Sequence, residues 1–68
     1  MKQEINNAGG MRTMVRLDPL TNPQHQGWYN FEMSTVYDNA DQVREQVNFR
    51  MCLDPAAFQR FKAIVNEV

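Results

Sequence analysis

Residues 28–37, WYNFEMSTVY, alternate with a period of two, and that alternation limits the folds open to the chain. Tyr29, Phe31, Met33, Thr35 and Tyr37 point to one side; Trp28, Asn30, Glu32, Ser34 and Val36 point to the other. Such a strand cannot stand alone, because its backbone needs pairing and its aromatic side needs cover. A second alternating run supplies a partner. Met11, Thr13, Val15 and Leu17 alternate with Arg12, Met14 and Arg16, which predicts a strand over residues 11–17, stopped by Asp18-Pro19. Between the two runs lies DPLTNPQHQG, residues 18–27, a loop of turn formers. Loops of this length often carry function, although plain linkers also reach it.

The flanking segments differ in clarity. Residues 1–10, MKQEINNAGG, are polar and end in a Gly pair, so they read as a flexible leader that frays or briefly extends the first strand. DNADQ, residues 38–42, suits a hairpin turn, since Asp and Asn bond their own backbone. Residues 42–53 fit two patterns. Ala40, Val43, Val47 and Met51 fall at helical spacing with Asp38 as a cap, but a helix would throw Phe49 and Leu53 to solvent. A strand over residues 46–53 puts Val47, Phe49, Met51 and Leu53 on one face and Gln46, Asn48, Arg50 and Cys52 on the other, and is preferred because it gathers more apolar residues. The end of the chain is unambiguous. Asp54 caps and Pro55 opens a helix over residues 55–68, with Ala57, Phe58, Phe61, Ile64, Val65 and Val68 in one apolar stripe. The fold expected is one α+β domain over residues 1–68: a three-stranded antiparallel meander packed by one C-terminal helix, in the order β-β-β-α.

Composition then narrows the function. One cysteine, Cys52, and one histidine, His25, leave no intramolecular disulfide and no cysteine-cluster zinc site, so neither metal nor cofactor is expected. The net charge of −1 fits neither a polybasic arm nor an acidic mimic of nucleic acid. No apolar run approaches the roughly 18 residues that span a bilayer, and the N-terminus has no signal-peptide core. A lone thiol suits a reducing compartment, so the cytoplasm is the expected location, with no membrane partner. A domain of about 60 residues buries only about 60% of its unfolded surface. Without a staple, association is the usual remaining device, either as a homodimer or with a foreign protein. Six Gln and seven Asn make a polar surface that can be buried without desolvating charge, or that merely keeps the chain soluble.

Three sets of residues bear on chemistry. His25 lies near Asp18, as a general base would, but no Ser or Cys sits in the same segment, whose one hydroxyl is that of Thr21, and no phosphate-cradling glycine loop exists; it reads as a contact residue. Cys52 stands just before a helix start, where thiolates are favoured, but reads as a small buried or interfacial residue. The face opposite the aromatic one is the most informative. Arg12, Arg16, Trp28 and Arg50 project from it, with Arg44 a further candidate, and the loop residues Asn22, Gln24 and His25 rim it.

Arginine beside an aromatic on an open sheet holds single-stranded nucleic acid by stacking and phosphate contact. The same residues are enriched where proteins meet. A solvated face with scattered ion pairs is the ordinary alternative, and Glu32 sits centrally on it. The chain, short, cysteine-poor, amide-rich and without catalytic residues, resembles in type the small accessory proteins of bacteria and their phages, many of which block a host protein; no motif carries that resemblance. The expected function is a non-enzymatic protein-binding module that inhibits or regulates a host protein by direct contact, with no small-molecule substrate. A nucleic-acid-binding sheet module is the alternative. Truncating Arg16 or Arg50 is expected to weaken partner binding and leave the fold intact.

Overall fold

Two glycines with positive φ, Gly9 at 58° and Gly10 at 86°, turn the first segment back on itself. Two adjacent residues of this hand make the tight turn whose twist matches a β-hairpin. In the computed structural model, which describes residues 1–39 and 42–68, the polar leader is accordingly a strand. The elements are β1 (Lys2–Ala8), β2 (Met11–Pro19), a single 3-10 turn (Pro23–His25), β3 (Tyr29–Asn39), β4 (Gln42–Leu53) and α1 (Pro55–Asn66). The strands form one antiparallel sheet in the order β1-β2-β3-β4. The α+β class and the C-terminal helix stand as expected, but the sheet has four strands, not three. Residues 1–10 carry no apolar alternation because β1 is held by its backbone, from Lys2 opposite Arg16 to Ala8 opposite Met11. The Leu17 N–H also donates to the Met1 carbonyl at 2.8 Å.

The remaining boundaries shift. β2 continues through Asp18 and Pro19, which lie opposite Asn30 and Tyr29, and Trp28 precedes β3. Residues 42–53 are strand, as preferred, but pairing starts at Gln42 rather than at residue 46. Ala40 and Asp41, at the middle of the expected turn, lie outside the described residues. The helix ends at Asn66, two residues short of 68.

Two β-bulges decide which side chains share a face. On β1, Glu4 lies opposite Met14 and Asn6 opposite Thr13, leaving Ile5 as the extra residue. On β4, Phe49 lies opposite Met33 and Val47 opposite Ser34, leaving Asn48 as the extra residue. Below this bulge the parity of β4 reverses. Phe49, Met51 and Leu53 share the face of Met33, Phe31 and Tyr29, but Val47 crosses to the face of Ser34. Gln46 and Arg44 move the other way, opposite Thr35 and Tyr37. The single face expected for Val47, Phe49, Met51 and Leu53 is therefore split, and Arg44 leaves the face of the other arginines. Asn48 is fixed by its side chain, whose Nδ2 donates to Thr35 Oγ1 at 2.6 Å.

α1 starts where expected. The Asp54 carboxylate accepts from the Ala57 N–H at 2.7 Å, and Pro55 occupies the first helical position. Gly27, at φ 81°, lies so close that a Cβ there would stand 3.1 Å from Pro55 Cγ, so the loop packs on the helix start. Phe58 stacks on Tyr29 at 3.9 Å and Phe61 meets Phe31 at 5.3 Å between ring centres. Only these first turns reach the sheet. Ile64, at 65% exposure, and Val65 and Val68 beyond it remain in water, so the expected stripe is half used. Among the described residues, no helix is long and apolar enough to cross a membrane. The result is a plate of 42 × 31 × 16 Å.

Candidate functional site: two faces of one sheet

The sheet has a charged face and an aromatic face, and burial falls on them in the reverse of the expected way. On the charged face, Lys2, Arg16, Glu32 and Arg50 stand in one row across the four strands. Glu32 is buried; its Oε2 accepts from Arg50 Nε at 3.1 Å and Nη2 at 2.9 Å. Arg12 places Nε 2.8 Å from Asp38 Oδ2, with Glu4 at 3.7 Å. Arg16 lies 3.6 Å from Asp18, whose carboxylate also meets the Met1 amino group. Beneath these paired side chains, Ser34 and Val36 are buried together with Glu32. The face expected to be open is roofed by its own side chains.

Lys2 closes this roof. Its Nζ donates to both Glu45 oxygens, at 2.7 and 2.8 Å, and Ser34 Oγ donates to the same carboxylate at 3.1 Å. The Lys2 hydrogen bond, more than any other contact, holds the Glu45 carboxyl below its ordinary value. The Met1 amino group does the same for Asp18. A carboxyl depressed in the folded state contributes stability above its unfolded pKa and loses it as pH falls through the folded one. The clasp between β1 and β4 should therefore loosen on acidification below about pH 4. The check is a carboxyl NMR titration: Lys2→Met should raise the Glu45 midpoint toward the ordinary value, and an unchanged midpoint would show that the clasp does not form.

The expected site is placed only in part. Arg12, Arg16 and Arg50 do share one face, but each is engaged with carboxylates of the same chain. Trp28 turns to the loop, its ring meeting His25 edge-on at 5.1 Å. Asn22 caps the short 3-10 turn, its Oδ1 accepting from the Gln24 N–H at 2.9 Å. Asn22, Gln24, His25 and Trp28 thus form a loop with its own internal order at the end of the sheet where α1 begins. Cys52, opposite Asn30, is exposed rather than buried. Among the described residues, no group of three His, Cys, Asp or Glu side chains is gathered as metal ligands would be.

The aromatic face is the one left open. Beyond the end covered by α1, Phe49 is 50% exposed, and Met51 beside it is exposed as well. Phe49 stands 6.3 Å from Phe31, so the bare surface continues from the packed core. A shallow groove of about 260 Å³ runs between Leu17, Phe61 and Val65, and another of about 190 Å³ between Leu17, Val15 and Ile5. Leu17 belongs to both, which makes them one apolar tract. Sequence periodicity expected Phe49, Met51 and Val65 in the core, but they are exposed, because one helix of 12 residues is too short to cover a sheet of this width. The chain matches no protein-family model, no curated protein and no solved structure.

Proposed function

We propose that the chain is a non-enzymatic protein-binding module that acts in the cytoplasm by direct contact, and that its contact surface is the aromatic face of the sheet. The observation that carries this is the uncovered apolar tract around Phe49, Met51 and Leu17, continuous with the Phe31–Phe61 core. Large exposed apolar patches mark contact sites, because water is released when another surface covers them. The arginines take a supporting part, since they roof the opposite face. For nucleic acid the charged face is poorly suited: Lys2, Arg12, Arg16 and Arg50 lie among Glu4, Asp18, Glu32, Asp38 and Glu45. Phosphates would have to displace carboxylates already in place.

A photo-crosslinking amino acid separates the faces. Benzophenone-alanine in place of Phe49, in cells producing the chain, should give protein adducts well above those obtained from Met14 on the charged face. Adducts from position 14 alone, or to nucleic acid only, would refute the proposal.

A further inference from the structure

Resting on the aromatic face as a contact surface, we infer that its occupant is a second copy of this chain, the two sheets meeting face to face about a two-fold axis. The first support is the amount of surface left in water. The chain exposes 5316 Å², against roughly 4,450 Å² for a compact monomer of its 8.0 kDa mass. The excess, roughly 850 Å², matches the approximately 800 Å² that each partner contributes to a standard interface. The radius of gyration agrees, at 14.3 Å where about 11 Å is expected for this length. One chain is thus short of cover by about one interface.

The second support is charge. A two-fold contact sets the same patch against itself, so a cluster of one sign would repel its own copy. On the aromatic face the described residues place two charged side chains, Arg44 at the corner beside Tyr37 and Gln46, and Lys62 of α1 in the groove beside Phe58. A foreign partner selected by charge would find little to follow there, whereas a second copy meets two single charges and no cluster of one sign. The third is stability. Val36 and Leu53 are the hydrophobic residues fully buried among those described, a small core for a chain without a disulfide or metal. α1 stands on one end of the face, so two copies can each set the helix end, with Ile64 and Val65, against the other's bare end.

Light scattering and sedimentation at micromolar concentration test this with matched substitutions on opposite faces. The wild-type chain should have twice the chain mass of 8.0 kDa. Val43→Lys, on the charged face, should keep that mass, and Phe49→Lys should halve it. Should Phe49→Lys fail to fold, the wild type decides: its urea midpoint should rise with protein concentration over a hundredfold range if folding and pairing are linked, and a constant midpoint overturns the inference. A dimer that survives Phe49→Lys also overturns it, because the copies then meet elsewhere. A folded wild-type monomer overturns it too. If that monomer still crosslinks to other proteins from position 49, the contact surface stands and only its occupant is wrong; if it crosslinks to none, both fall.

Discussion

Phe31→Ala should cost about 3–5 kcal/mol, which is most or all of the stability of a domain this small. Phe31 stands on β3, an inner strand, opposite Leu17 on one side and Met51 on the other. Its ring is 5.3 Å from that of Phe61 and 6.3 Å from that of Phe49, so it joins the helix to both halves of the face. Removing it leaves a cavity that neither rigid β3 nor the capped start of α1 can close by moving. Within a single chain Phe49→Ala should cost much less, about 1 kcal/mol, because there the ring is half in water; in the paired state the loss should be larger. Urea denaturation followed by circular dichroism, at one fixed protein concentration, measures both. A Phe31→Ala loss below about 1 kcal/mol would mean that the helix does not pack on this face.

Arg50→Ala comes next, at about 2–3 kcal/mol, and its interest lies in an asymmetry. The Glu32 side chain is 7% exposed and the Arg50 side chain 61%. Without Arg50, the carboxylate stays beneath the roof and loses both of its N–H donors. Without the Glu32 charge, Arg50 turns outward and is hydrated, so Glu32→Gln should cost only about 1 kcal/mol. Equal losses in denaturant melts would show that burial of the carboxylate is not what matters. The expectation that Arg50→Ala spares the fold is accordingly withdrawn, and this substitution is a poor probe of binding.

Much of the architecture was legible because period and capping are local. The alternation of residues 11–17 and 28–37 gave the inner strands, and Asp54-Pro55 marked the helix start to the residue. β1 was missed because KQEINNA holds little apolar pattern to read; its one usable signal was the Gly9-Gly10 pair, a hairpin turn in waiting. The bulges at Ile5 and Asn48 leave no trace in periodicity, yet the second exchanged Val47 for Gln46 on the aromatic face. The charged face was expected to be open, and its cover was missed for a different reason. Parity places Arg12, Arg16 and Arg50 together with Glu32, but does not say which arginine each carboxylate ties down: Asp38 takes Arg12 and Glu32 takes Arg50, each across a strand pair. Nor does it say which face a short helix will leave bare.

The strand order also bears on how fast the chain folds. Each strand pairs only with its neighbours in sequence, so no segment must wait for a distant one before its hydrogen bonds form. Closing a hairpin orders few residues at a time, and chains built from such near contacts cross their barriers sooner than those with interleaved strands. The search that slows most sheets is largely absent here. What is left for the slower, bimolecular time scale is the meeting of surfaces, so the lifetime of the bare aromatic face after synthesis is governed by encounter and not by the ordering of the chain.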